Sequence, residues 1–110
     1  MALGAAPSEK LTRVNFPLWQ AQVLPAIRGA QAMGLLDGTD AAPAKMVTME
    51  TADKTSSKTT TNPDYAAWLA RDQQVLSYLL NSFSPEILQH VLRLEHAASV
   101  WSAVEKRFAS

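Results

Sequence analysis

"NPDYAAWLARDQQVLSYLLNSF", residues 62 to 83, decides the fold. Asn62 is placed to cap a helix, Pro63 falls at the first helical position where its missing N–H costs nothing, and Asp64 complements the positive end of the helix dipole. Tyr65, Trp68, Leu69, Leu76, Leu79, Leu80 and Phe83 then recur at helical spacing. The stretch reads as a long amphipathic helix, and its apolar stripe requires other elements to cover it.

"NFPLWQAQVLPAIRG" (15–29) offers the first partner, with Phe16, Trp19, Val23, Leu24 and Ile27 three and four residues apart. Asn15 is expected to cap this helix, with Pro17 in its first turn. Pro25 would leave the Ala21 carbonyl without its amide partner, so a kink or break is expected there, and Arg28-Gly29 closes the segment. "AQAMGLLDG" (30–38) reads as a short helix or a single turn ended by Asp37-Gly38. Ser84-Pro85-Glu86 repeats the cap, proline and acid pattern and opens "EILQHVLRL", with Ile87, Leu88, Val91 and Leu92 on its apolar side. From Ala97 to Phe108, Val100, Trp101, Val104 and Phe108 share one face, while Glu105, Lys106 and Arg107 turn to solvent.

No run of alternating residues reads as a convincing strand. Between Thr39 and Thr61 the composition shifts to Ala, Thr, Ser and Lys, with few large apolar residues beyond Met46, Val47 and Met49. Such a segment buries too little to offset the entropy of ordering it, so a flexible loop is expected, with a small hairpin around "KMVTME" as the alternative. The run Thr55 to Thr61 reads as solvated loop rather than as a phosphorylation site or linker epitope. The expected fold is all-α, a small orthogonal bundle of about five helices. A flexible arm (1–10) precedes a helical domain (11–110) that contains the flexible loop (39–61). Its core is expected to hold Phe16, Trp19, Trp68, Leu76, Leu79, Trp101 and Phe108, with the three tryptophans converging from three helices.

Composition narrows the chemistry. At 110 residues the chain is a single domain by length, large enough to bury roughly two-thirds of its unfolded surface. Ten basic and ten acidic residues cancel, and Lys10, Arg13, Arg28, Arg71, Arg93, Lys106 and Arg107 are scattered along the chain, so strong nucleic-acid binding is not expected. The absence of cysteine excludes disulfides, thiolate zinc sites and cysteine nucleophiles. His90 and His96 lack the spacing and companions of metal ligands, and no nucleophile elbow, phosphate loop or HExxH motif occurs. No catalytic residue, metal or cofactor is therefore assigned, and no enzyme activity is expected. No apolar stretch follows Met1 as in a signal peptide or spans a bilayer, so a soluble cytoplasmic protein is expected, with the nucleus open and no membrane contact.

These segments, in order, resemble the N-terminal capsid region of Gag polyproteins from plant copia-type LTR retrotransposons. The likeness runs from about Leu11 to Ala109, interrupted by the loop. Asn15, Phe16 and Trp19 match the opening "N-[YF]-x-x-W"; Gly34 to Gly38 match "G-x-[LF]-[DG]-G". Trp68 to Leu80 match "W-x-x-x-D-x-x-[VA]-x-x-x-[LI]", and Trp101 to Phe108 match "W-x-x-L-x-x-x-[FY]" with Val104 standing at the leucine position. The resemblance implies a structural role, since such Gag proteins assemble into virus-like particles around element RNA, reverse transcriptase and integrase. Pro25 would then set the shape of an assembly helix. Family chains commonly continue into further capsid helices and a CCHC zinc knuckle that contacts RNA. With no cysteine and an end at Ser110, this sequence is expected to be a piece of Gag or a captured Gag fragment, and RNA packaging by these residues is not expected.

Two functions follow. One is a capsid building block that self-associates weakly in isolation. Its contacts are expected from Gln20, Gln22 and Arg28 on the first helix and Glu105 and Arg107 on the last, because these polar residues lie off the apolar stripes. The other is a host-domesticated Gag-derived module that binds a peptide or foreign protein in a groove between helices.

Overall fold

The computed structural model describes residues 3–52 and 56–109. Met1 and Ala2 of the expected arm, residues 53–55 of the expected loop, among them Thr55, and Ser110 lie outside the described residues. The described chain forms helix α1 (Phe16–Gly29), helix α2 (Met33–Asp37), strands β1 (Met46–Glu50) and β2 (Ser57–Thr61), then helices α3 (Pro63–Asn81), α4 (Pro85–Leu88) and α5 (Ala97–Phe108).

The all-α expectation is corrected by the strands. β1 and β2 pair antiparallel, with Met46 opposite Thr61 and Glu50 opposite Ser57, where a flexible loop was the main expectation. Thr51 extends the hairpin, its N–H donating to the Ser56 carbonyl at 3.0 Å. At its base the Asn62 N–H donates to the Lys45 carbonyl at 2.9 Å. No hairpin side chain is buried, and Met46 and Met49 are at least half exposed. The pairing thus draws on backbone hydrogen bonds and β-branched threonines rather than on a hydrophobic face, which is why no apolar alternation announces it. With extents of 62 × 26 × 22 Å, the chain has a radius of gyration of 17.5 Å. A compact chain of this length would have about 13 Å.

The core lies between the helices. Phe16, Trp19, Val23 and Ile27 of α1 meet Val75, Leu76, Tyr78 and Leu79 of α3 and Ala97, Val100, Trp101 and Val104 of α5, with Leu35 and Leu36 of α2 and Ile87 of α4 joining them. Burial raises the Tyr78 phenol above its ordinary pKa. Ahead of α1, Leu11 is fully buried and bridges in parallel to Phe83. Its N–H donates to the Ser82 carbonyl at 2.8 Å and its carbonyl accepts from Ser84 at 2.9 Å, so the chain entrance is tied to the end of α3.

Several local expectations meet a different outcome. Asn15 makes no side-chain cap on α1; its Oδ1 accepts from the Thr12 N–H at 2.7 Å and its Nδ2 donates to the Lys10 carbonyl at 2.9 Å, which shapes the preceding turn instead. α1 runs unbroken through Pro25. Both Pro25 and Ala21 are exposed, so the carbonyl that proline leaves unpaired faces water rather than the core. The segment after Ser84 stays helical only to Leu88, and bonds such as His90 to Ile87 at 3.0 Å and Val91 to Leu88 at 3.1 Å then tighten it into successive turns. Asn62, by contrast, caps α3 as expected, its Oδ1 accepting from Asp64 at 3.0 Å.

The end of α1 stores a conformational cost. Gln31 has a φ of 56°, its N–H donates to the Arg28 carbonyl at 2.9 Å, and the Ala32 N–H donates to the Ile27 carbonyl at 3.0 Å. This is the paired closure that ordinarily places glycine in the left-handed position. Gln31→Gly is expected to raise the urea midpoint, by roughly 1 kcal/mol of stability. A lowered midpoint would show that the Gln31 side chain contributes more than its backbone strain costs.

Candidate interaction interface

Two side-chain clusters fix the relative placement of the helices. The first is aromatic. Trp19 is fully buried, and its ring lies 5.8 Å from Trp101, 5.7 Å from Phe83 and 5.9 Å from Phe16. Phe16 in turn stacks on Phe108 at 5.8 Å. Large aromatic surfaces on α1 and α5 thereby hold those two helices together. Of the expected core residues, Phe16, Trp19, Leu76, Leu79 and Trp101 are buried, and Trp68 and Phe108 are half-buried and pack against them.

Trp68 belongs to the second cluster, which is polar. Its indole N–H donates to the Asp40 carbonyl at 2.8 Å, and its ring lies 5.6 Å from His96 and 5.9 Å from Tyr65. One helical turn along α3, Arg71 meets the Asp40 carboxylate at 3.0 Å through both terminal nitrogens. Asp40 is thereby drawn back over α2, its N–H donating to the Gly34 carbonyl at 3.0 Å. Only glycine fits at 34, since a Cβ there would stand 2.9 Å from the Asp40 Cβ and 3.2 Å from its backbone nitrogen. At the end of α2, Gly38 takes the left-handed conformation. The Asp37 carboxylate accepts from the Thr39 hydroxyl at 2.7 Å and the Thr39 N–H at 2.9 Å, and these bonds hold its carboxyl below the ordinary range.

Asp72 is the residue that sequence reasoning passed over. It is buried on α3, and its Oδ1 accepts from the Ala97 N–H at 3.2 Å, satisfying one of the free amides that open α5. Its Oδ2 accepts from the Gln73 amide at 3.0 Å and bonds His96 Nδ1 at 2.9 Å. Gln73 also donates to the Glu95 carbonyl at 3.0 Å. A charge at an otherwise apolar helical position was the available signal, because such a residue is buried only when its partners are supplied.

These polar groups are engaged in holding the fold. Among the described residues, no three His, Cys, Asp or Glu side chains come together as a metal site. No helix among the described residues is long and apolar enough to cross a membrane. The outward faces carry what remains. Gln22, Arg28, Glu105 and Arg107 are exposed and Gln20 is half-exposed, with α1 also presenting Leu18. The candidate contact residues thus occupy two separate helix surfaces rather than one pocket. Between α3 and the turns that precede α5 lies an open groove of about 590 Å³ lined by Leu69, Leu76, Leu80, Leu92 and Leu94.

Two curated proteins match this chain along most of its length. One is the retrovirus-related Pol polyprotein from transposon RE1 of Arabidopsis thaliana, 30% identical over 101 residues. The other is the corresponding polyprotein from transposon RE2 of the same plant, 29% identical over 101 residues. The chain is related to plant retrotransposon polyproteins. Each match takes in 92% of this chain and 6% of the relative, so the chain is similar to one small region of a much longer protein. No family model matches the chain. No solved structure matches it either.

Proposed function

We propose that this retroelement-derived region is a non-catalytic structural domain, a Gag capsid domain of copia type that contributes to self-assembly of virus-like particles. The observation that carries the reading is the match of 92% of the chain to a single region of two retrotransposon polyproteins. The ordered Gag motifs of the sequence add the finer assignment. The geometry is compatible with a building block: among the described residues, the titratable pairs are Arg71 with Asp40 and His96 with Asp72, both of which join elements of the fold. Weak contacts repeated by symmetry become strong once many copies are tied together, so an isolated domain is expected to be a monomer or weak dimer.

The test uses the longest natural open reading frame that contains these residues, viewed by electron microscopy. Particles are expected, and they should disappear in Arg28→Glu and Glu105→Lys variants whose circular dichroism is unchanged. A parent that stays monomeric at high concentration would sink the assembly reading. The leucine-lined groove beside α3 supports a second reading, a host-domesticated module that binds a peptide or foreign protein, and a monomeric parent would favour it.

A further inference from the structure

Three arginines far apart in sequence converge on one end of the molecule. Ile87, Val91, Ala103, Val104 and Phe108 line a cleft of about 270 Å³ between the α4 turns and α5, rimmed by Arg93 and Arg107. A neighbouring cleft of about 160 Å³ shares Ile87, His90 and Arg107 and adds Arg13, Gln89 and Glu86. Arg71 elsewhere is paired with Asp40, yet among the described residues no carboxylate lies within ion-pairing distance of Arg13, Arg93 or Arg107. Glu86 is the acid in the cleft, and its Oε1 accepts from the Arg13 backbone N–H at 3.4 Å. The floor is apolar, with Ile87, Val91 and Val104 buried, while His90, Arg93 and Arg107 are exposed.

We propose that this double cleft binds an acidic linear segment of a partner protein, with an aliphatic side chain seated over Ile87, Val91 and Val104 and its carboxylates meeting Arg13, Arg93 and Arg107. Charge complementarity selects the acid, since unpaired guanidinium groups hold carboxylates through charge-assisted, often bidentate bonds. The apolar floor selects a peptide over a nucleic acid. Single-stranded nucleic acid is held by stacking on open aromatic faces. Neither cleft is lined by tryptophan or tyrosine, and the Arg107 guanidinium lies 5.7 Å over the Phe108 ring. The site shares Arg107 with the assembly reading, whose other contact residues, Gln20, Gln22, Arg28 and Glu105, line neither cleft.

The test titrates a fluorescein-labelled peptide, Glu-Glu-Leu-Asp-Glu-Leu, into the full chain and reads anisotropy. Saturable binding is expected, weakened roughly tenfold by Arg93→Glu or by Arg107→Glu in variants with unchanged circular dichroism. A peptide with serine in place of leucine should bind roughly tenfold more weakly to the unaltered chain, which reads the apolar floor without any protein variant. Absence of saturable binding, or equal affinity of the serine peptide, overturns the proposal. So does tighter binding of single-stranded RNA lost in the same arginine variants, which would make the site a nucleic-acid surface. A dimer formed without peptide and dissolved by Arg93→Glu would instead assign the cleft to a second copy.

Discussion

Trp19→Ala is expected to lower stability by about 3–5 kcal/mol, against the ~5–15 kcal/mol that a domain of this kind has in total. Trp19 is fully buried and touches aromatic rings from α3's end, from α5 and from its own helix, so truncation removes the common neighbour of Phe16, Phe83 and Trp101. The cavity would open between α1 and α5, where rigid rings have little freedom to collapse into it. Its indole nitrogen is buried with no hydrogen-bond partner in the protein. Trp19→Phe is therefore expected to cost much less than alanine, because it retains an aromatic ring while removing an unsatisfied donor. Trp68→Ala should also cost less than Trp19→Ala, since Trp68 is only half-buried, though it loses its bond to the Asp40 carbonyl and its ring contacts with Tyr65 and His96. Urea midpoints followed by tryptophan fluorescence and far-ultraviolet circular dichroism would rank the three variants. A Trp19→Ala protein with the parental midpoint would show that the aromatic cluster does not hold the fold together.

The different positions of these tryptophans explain how far the sequence could be read. Helix existence was legible where cap, proline and apolar stripe agreed, as at Asn62-Pro63, and from the apolar stripe alone from Ala97 to Phe108. Periodicity alone could not separate Trp19 from Trp68, because both sit on apolar stripes and only the fold shows that one is fully buried with an unpartnered indole N–H while the other is half-buried with its N–H bonded to a carbonyl. The hairpin stood only as the alternative to a flexible loop because its threonines and lysine create no apolar alternation; its order comes from backbone pairing that composition does not encode. Asn15 had the residue type of a cap, but Lys10 and Thr12 supplied competing partners within the preceding turn. The exposure of Arg28, Glu105 and Arg107 followed from their positions on helical faces. The arginine-rimmed cleft was illegible because Arg13, Arg93 and Arg107 come from three segments that only tertiary packing brings together.

Asp72 gives the sharpest test of that tertiary logic. Removing its carboxylate by Asp72→Ala leaves the Ala97 N–H without an acceptor at the buried start of α5, and deprives Gln73 and His96 of a common partner. Loss of this cap leaves a buried donor unsatisfied, so a loss of roughly 1–3 kcal/mol is expected. The bond to His96 is the lesser part: the His96 side chain is 42% exposed, whereas Asp72 is 2% exposed, so water can replace the partner on the histidine side. His96→Ala should therefore cost under about 1 kcal/mol. Asp72→Asn should recover part of the loss, because an amide oxygen can still accept from Ala97 while its NH₂ group opposes the Gln73 donor. Hydrogen exchange gives the local reading, since Asp72→Ala should expose the first-turn amides of α5 before those of α3. If His96→Ala proved as damaging as Asp72→Ala, the Asp72–His96 pair rather than the cross-helix cap would be what fastens α5 to α3. If exchange rose equally in both helices, Asp72 would act on the core as a whole rather than on the start of α5.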